Sequence, residues 1–170
     1  MNKITVTKTY EVYKYEELSK EIQEKLLEKE VDCCVESYCE CYLYEDMLDY
    51  AKQLLKKYFG QKATLDKVWY DLSYSQGSGA MIEFNLDYYN CNVTIKQHGH
   101  YYHEHSFIIE ENGDKYLSDN RYKYLYDKIV DMNRELSKYG YNLVNCENFT
   151  EQAKEQLEEQ EYLENGEMFW

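Results

Sequence analysis

The histidines of this chain are concentrated in one short segment, His98-Gly-His-Tyr-Tyr-His-Glu-His105. Imidazole is the most common metal ligand in proteins and titrates near neutral pH, so this density is compatible with a metal site or with proton transfer. If the segment is one continuous strand, His98, His100 and Glu104 share a face and His103 lies on the other. At most two histidines and Glu104 then converge, unless Gly99 bends the strand. The candidate metal ligands are His98, His100, His103 and Glu104. The alternative is a structural or partner-binding role for the whole segment.

Serines in a glycine-bearing segment are the other residues that could do chemistry. Ser75 and Ser78 lie in Ser75-Gln-Gly-Ser-Gly79. No Gly-x-Ser-x-Gly sequence surrounds them, so a nucleophile elbow is not indicated. A strand pattern rather than a helix follows the glycines, which argues against a phosphate-binding loop. We therefore assign no catalytic residue and expect neither a cofactor nor an enzyme.

The charge balance of the chain excludes several classes of partner. The chain has 170 residues with 19 Lys and Arg against 33 Asp and Glu, a formal net charge of −14. Because phosphate binding needs clustered cations, we expect neither nucleic acid nor a membrane as the direct partner. No apolar run approaches the ~18 residues of a membrane span, and the start, Met1-Asn-Lys-Ile-Thr-Val6, lacks a signal segment. We expect a cytoplasmic protein.

Acidic residues and tyrosines together predict a protein-binding surface. Four acidic residues share one stripe at helical spacing, and such a stripe can replace the row of phosphates that a basic groove binds. They are Glu151, Glu155, Glu158 and Glu159. The 21 tyrosines supply large, stiff and amphipathic contact area. The alternative is that the acidic faces are only solvated surface. The predicted partner-binding residues are Glu36, Glu40, Asp46, Tyr101, Tyr102, Glu151, Glu155, Glu158, Glu159, Glu161 and Glu164.

Hydrophobic periodicity indicates which elements position these residues. Alternation predicts an N-terminal strand over 3–13 and a sheet over 66–112, whereas apolar stripes at helical spacing predict helices within 15–58 and 118–161. We expect an α+β protein with a single domain over 1–170. Its antiparallel sheet would have about five strands, with helices from the N-terminal and C-terminal parts packed on it.

Details of the sheet and of one helix follow from local signals. Two alternating runs flank Gln76–Gly79 and predict a hairpin, and Tyr89-Asn90 marks the next reversal. His103–Glu110 is predicted to form a further strand, with Phe107 and Ile109 on one face. The cysteine-bearing segment 31–41 is ambiguous, and we favour helix.

Four segments resemble those of a family of small phage-encoded proteins. They correspond to its Y-x-E-L-S helix, W-S-Q-G-D-G-A hairpin, H-Y-x-H-E strand and F-x-x-D-G tail. In this chain they are Tyr15–Ser19, Leu72–Ala80, His100–Glu104 and Glu161–Glu167. Tyr74 replaces the usual Trp, and Ser78 replaces the usual Asp, which removes a possible cation ligand. The resemblance implies a phage or prophage origin.

This origin, the negative charge and the tyrosine content lead to one leading hypothesis. The chain would be a phage-encoded anti-CRISPR protein that binds a host Cas nuclease with its guide RNA, in the cytoplasm of the host bacterium. An acidic, tyrosine-rich surface would occupy the basic DNA-binding groove and block target recognition or cleavage. Two alternatives stay open: a metal-dependent enzyme built on His98–His105, and an antitoxin-like module that neutralises a basic toxin.

Overall fold

The chain folds into two compact units of helix and antiparallel sheet. The computed structural model describes residues 8–169. The first unit contains the described residues up to Tyr38 together with those from Asn145 onward, and the second unit is Cys39–Val144. The α+β class is confirmed. The prediction of a single domain over 1–170 stays a prediction. No helix in the described part is long and apolar enough to span a bilayer.

Four α-helices and six strands follow one another along the described chain, with short 3-10 helices between some of them. In chain order they are β1 (Tyr13–Lys14), α1 (Lys20–Cys41), α2 (Leu43–Phe59), β2 (Ala63–Asp71), β3 (Gly79–Tyr88), β4 (Cys91–Gln97), β5 (Phe107–Asn112), α3 (Asp119–Leu143), α4 (Thr150–Glu158) and β6 (Glu161–Tyr162). The 3-10 helices are Tyr15–Glu17, Gly60–Lys62 and Cys146–Phe149.

Two predictions near the N-terminus have different outcomes. The predicted strand over 3–13 falls partly on residues 1–7, outside the described residues, and 8–12 form no strand. Only Tyr13 and Lys14 pair, with β6. The segment 31–41, by contrast, is helical as favoured, because α1 continues to Cys41.

The core of the first unit lies between α1 and α4. One cluster joins Val31 and Cys34 of α1 to Ala153 of α4, and Phe149 packs with them. A second cluster contains Tyr15, Leu18, Leu157 and Tyr162. Since buried positions recur every three to four residues, each helix buries one face and leaves the opposite face in solvent.

The second unit is a four-stranded antiparallel sheet, in the order β2-β3-β4-β5, with α2 and α3 packed against it. The main sheet therefore has four strands rather than about five. The buried side chains of β3 and β4 include Ile82, Phe84 and Ile95. Met47 of α2 and Ile129 of α3 are fully buried as well.

Irregular points in the sheet interrupt or reverse its strands. Tyr89 and Asn90 form the two-residue turn between β3 and β4 with φ of 54° and 59°. Positive φ at both central positions gives a turn whose twist matches that of the flanking strands. The edge strand β2 is irregular, because its register with β3 shifts between Leu65 and Lys67. Asp66 is the extra residue at this shift.

Candidate functional site

The histidine segment is a loop between β4 and β5. The predicted strand from His103 is wrong at its start, because β5 begins only at Phe107. His98 N–H donates to the carbonyl of Ser106 at 2.9 Å and closes the loop at its base. Without a continuous strand, alternate residues no longer share a face, so the expected grouping of the histidines does not form.

The four predicted metal ligands are not brought together. His98 and His100 are exposed in the loop. His103 Nδ1 accepts a hydrogen bond from the His105 backbone N–H at 3.1 Å, and Glu104 lies 3.6 Å from the Arg134 guanidinium. Within residues 8–169, no three His, Cys, Asp or Glu side chains are arranged to hold one metal ion. This geometry gives no support to a metal centre at His98, His100, His103 and Glu104.

The histidine loop packs instead on the hairpin loop between β2 and β3. Tyr102 N–H donates to the Gly77 carbonyl at 3.0 Å. A Cβ at Gly79 would lie 3.0 Å from His103 Cα, and one at Gly77 would lie 2.0 Å from the Tyr101 ring. Both glycines also have positive φ, so only glycine fits here without strain. Two segments that carry the phage-family resemblance therefore form one structural element.

The predicted partner-binding tyrosines of this loop differ in exposure. The Tyr101 side chain is half exposed, whereas Tyr102 is half-buried and stacks on Trp69 with ring centroids 5.7 Å apart. Lys67 Nζ lies 3.3 Å from the centre of the Trp69 ring. Tyr102 thus has a packing role, and Tyr101 remains available to a partner.

The hairpin serines bond to one another. The hydroxyls of Ser73, Ser75 and Ser78 are 2.9–3.2 Å apart, and Ser78 Oγ also accepts from the Ser75 N–H at 2.9 Å. Hydrogen bonds from Ser73 lower the pKa of the Asp71 carboxyl. The hydroxyls bond to one another and to the Asp71 carboxylate, and these hydrogen bonds stabilise the loop.

Exposed carboxylates cover the outer face of α4, as the helical spacing predicted. Glu151, Glu155, Glu158 and Glu159 are all exposed, opposite the buried Ala153 and Leu157. Glu151 lies 3.1 Å from Lys154, and its side chain is 85% exposed. The other three form no salt bridge with a described residue. Apart from the pair Glu151–Lys154, the face is therefore a negative surface without salt bridges among the described residues.

A second row of carboxylates follows α1 within the first unit. Glu24, Glu28, Asp32 and Glu36 are spaced four residues apart, and all are exposed. One step of four residues advances about 6 Å along a helix. None of the four forms a salt bridge within the described part of the chain. Sequence reasoning found only Glu36, although the interval of four that reveals the row is visible once 31–41 is accepted as helix.

The remaining predicted binding residues are scattered. Glu40 is exposed near the end of α1, and Asp46 is half-buried in the first turn of α2, both in the second unit. Glu161 lies 3.2 Å from Lys14, and Glu164 is exposed. The most exposed tyrosines belong to the second unit, apart from Tyr10. The carboxylate rows and the exposed tyrosines are therefore not one surface within either unit.

Two buried polar residues of α3 were missed by sequence reasoning. Asn133 Oδ1 accepts from Ile82 N–H at 3.2 Å, and Ser137 Oγ accepts from Ala80 N–H at 2.8 Å. β2 pairs with Ala80 and Ile82 on one side of β3, but β4 pairs with β3 only from Phe84 onward, so no residue of β4 lies opposite these two. Their spacing of four residues inside an otherwise apolar helical stripe was the sequence signal that could have identified them.

No family model matches this chain, and no curated protein or solved structure is significantly similar to it. The functional assignment therefore depends on the surfaces described above. Among them, the carboxylate rows of α1 and α4 are the most extensive group of residues that the packing of the core does not require.

Proposed function

We propose that this chain is a stoichiometric protein inhibitor that occupies a basic DNA-binding groove. The intended partner is a host Cas nuclease with its guide RNA, and the chain would be a phage-encoded anti-CRISPR protein. The observation that carries the proposal is an exposed row on α1 whose members form no salt bridge with a described residue, together with the outer face of α4. The row consists of Glu24, Glu28, Asp32 and Glu36.

The physical basis is the exchange of one row of anions for another. A groove that binds DNA presents clustered Lys and Arg side chains, and most of the binding free energy comes from release of counterions. Carboxylates about 6 Å apart along a rigid helix can contact successive cations without ordering a flexible chain. The negative field also accelerates association, so binding should be fast and should weaken as salt rises.

The cost of the row to the helix supports a role in binding. Like charges four residues apart destabilise an isolated helix by about 0.2–0.5 kcal/mol per pair. The row contains three such pairs in succession: Glu24 with Glu28, Glu28 with Asp32, and Asp32 with Glu36. A helix optimised for stability alone would place lysine at alternate positions, as Glu21 and Lys25 do on the same helix.

The family resemblance supports the phage origin. Its two most specific motifs contain Gly77, Gly79 and His103, which pack against one another in the second unit. A metal-dependent enzyme receives no comparable support, because no three His, Cys, Asp or Glu side chains within residues 8–169 are arranged to hold a metal ion.

The test is DNA cleavage by a guide-loaded single-protein Cas nuclease, with the inhibitor added before or after target DNA. Inhibition that saturates near one equivalent and is lost when DNA binds first would support the proposal. Inhibition that is independent of the order of addition would refute competition for the groove. The absence of both binding and inhibition at low salt would refute the proposal altogether.

A pair of variants assigns the effect to α1. The triple variant Glu28→Gln, Asp32→Asn, Glu36→Gln should weaken inhibition at least about tenfold. The matched control Glu45→Gln, Asp87→Asn, Asp114→Asn removes the same charge from exposed positions of the second unit and should inhibit normally. Equal loss in both variants would mean that net charge, and not the row, determines binding.

A further inference from the structure

A cleft of about 440 Å³ opens in the second unit at the end of β3. This volume lies in the range of about 300–1,000 Å³ that is typical of small-molecule sites. Most of its lining is aromatic, with Phe59 from α2, Tyr88 and Tyr89 from the end of β3, and Tyr124 from α3. Such a lining favours a planar, apolar ligand body.

Contacts hold the Tyr89 ring in place, and the Tyr89 and Tyr124 side chains stay accessible to a ligand. Tyr89 belongs to the two-residue turn with positive φ, and the Arg121 guanidinium lies 4.2 Å from the centre of its ring. Tyr88 contacts Tyr89 edge to face at 4.8 Å. Tyr89 is 57% exposed and Tyr124 is 55% exposed. Fixed and exposed rings of this kind are stacking platforms for a planar group.

The charge of the cleft is opposite to that of the chain. Its charged lining residues are Lys62 and Lys128, and no Asp or Glu of the described chain lines it. Lys62 is exposed and forms no salt bridge with a described residue. Lys128 Nζ donates to the Tyr58 carbonyl at 3.3 Å and lies 5.1 Å from the centre of the Tyr124 ring. Two lysines without carboxylate partners suit a dianion.

One polar atom of the lining lacks a partner. The Tyr88 hydroxyl is buried and has no hydrogen-bond partner among the described residues. Leaving a buried hydroxyl unpaired is unfavourable, so such groups are rare in folded proteins. A ligand whose polar atom reaches this hydroxyl would complete its hydrogen bonding.

We propose that this cleft binds a phosphate monoester that also carries a planar aromatic group, such as a nucleoside monophosphate. The base would stack on Tyr89 and Tyr124. A phosphate monoester carries about −1.5 to −2 charges at neutral pH, which matches Lys62 and Lys128. This site is independent of the carboxylate rows and of the inhibitor function.

The test is calorimetric titration of the full chain with adenosine monophosphate and guanosine monophosphate. We expect saturable binding with a dissociation constant of about 10 µM to 1 mM. Adenosine alone and inorganic phosphate alone should each bind at least about tenfold more weakly. Adenosine keeps only the base that stacks on the tyrosines, and phosphate keeps only the charge that pairs with the lysines. The absence of any saturable signal up to about 5 mM nucleotide would refute the proposal.

Variants locate the binding in the cleft. Lys62→Gln and Tyr124→Leu should each weaken nucleotide binding about tenfold. The controls Lys56→Gln and Tyr116→Leu change the same residue types at exposed positions outside the cleft and should bind normally. Circular dichroism checks that each variant is folded. Because Lys62 is exposed, Lys62→Gln should fold normally and still tests the proposal if the Tyr124 variant unfolds. Binding that neither cleft variant weakens, or equal affinity for an aromatic carboxylate, would overturn the assignment.

Discussion

At the scale of single residues, the second unit depends on side chains that satisfy backbone groups. Asn133 and Ser137 occupy the place beside β3 that a neighbouring strand would otherwise take, and both are buried. A buried backbone N–H without a partner costs free energy comparable to a lost hydrogen bond. These two residues therefore connect α3 to the sheet by chemistry as well as by packing.

Replacing Asn133 by leucine should destabilise the protein although the side chain keeps a similar size. The Ile82 N–H would lose its acceptor inside the core, at a cost of about 1–3 kcal/mol in the free energy of unfolding. Urea unfolding of Asn133→Leu measures this change. Gln53→Leu, an exposed substitution on α2, is the control and should change stability by less than about 0.5 kcal/mol.

Glu135 should make stability depend on acid pH. Hydrogen bonds from Lys57 and Tyr58 lower the pKa of its carboxyl, and the Tyr58 hydroxyl lies 2.6 Å away. Since the pKa is lower in the folded state, the stabilisation is present above the unfolded pKa and is lost as pH falls through the folded value. Glu135→Gln should therefore be less stable than the parent chain near neutral pH by about 1 kcal/mol or less.

The measurement is urea unfolding of both chains between neutral pH and about pH 3. The difference between them should shrink as the pH falls below the ordinary range of glutamate. A difference that stays constant over this range would show that Glu135 acts by packing rather than by its charge.

At the scale of elements, the contact between the hairpin loop and the histidine loop leaves no room for a side chain at Gly79. The atoms nearest to a Cβ there include backbone atoms of His103 and Tyr102, which have little freedom to move. At Gly99, in the same histidine loop, a Cβ would meet no atom within 4 Å. A substitution at Gly99 therefore measures the cost of positive φ alone, whereas one at Gly79 adds the cost of the steric clash.

Gly99→Ala should lower the free energy of unfolding by about 1–2 kcal/mol, the cost of a left-handed conformation. Gly79→Ala should cost at least about 1 kcal/mol more, because the two loops must also move apart. Thermal or urea unfolding of the two variants compares them directly. Equal losses would show that the contact between the loops yields without cost.

The elements differ in how far sequence alone predicts them. The helical interval of Leu43, Met47 and Ala51 located α2 to within one residue at either end. The strand prediction for the histidine segment was wrong because contacts with residues distant in sequence hold the segment as a loop. One such contact is the hydrogen bond from Tyr102 N–H to the Gly77 carbonyl. Local alternation contains no information about such contacts.

The candidate site was predictable to a similar extent. The α4 face followed from spacing alone, since nine residues of helix repeat the interval without interruption. The α1 row was harder to predict at Asp32 and Glu36, because the neighbouring cysteines left it ambiguous whether this segment is a helix. The cleft at Tyr88 and Tyr124 was out of reach, because its walls are far apart in sequence and meet only after folding.

At the scale of the whole molecule, electrostatic repulsion opposes the folded state. The formal charge of −14 comes from 33 acidic against 19 basic residues. Charges of one sign in a compact body repel one another, and salt screens this repulsion over a Debye length of about 10 Å at 0.1 M.

Added salt should therefore stabilise the protein while it weakens binding to a basic partner. We expect the melting temperature to rise between about 20 mM and 300 mM NaCl. The triple variant Glu28→Gln, Asp32→Asn, Glu36→Gln should melt higher than the parent chain at low salt, and the gap should narrow as salt increases. Differential scanning calorimetry at the two salt concentrations measures both effects, and a melting temperature insensitive to salt would contradict the account.

The register shift in β2 has a consequence for how this protein behaves in concentrated solution. A straight edge strand offers its free N–H and C=O groups to any passing strand, which is how sheets grow into aggregates. The bulge at Asp66 interrupts that row, and the charged side chain of Lys67 follows it in the strand. Sheet extension from one molecule to the next through the β2 edge is therefore disfavoured.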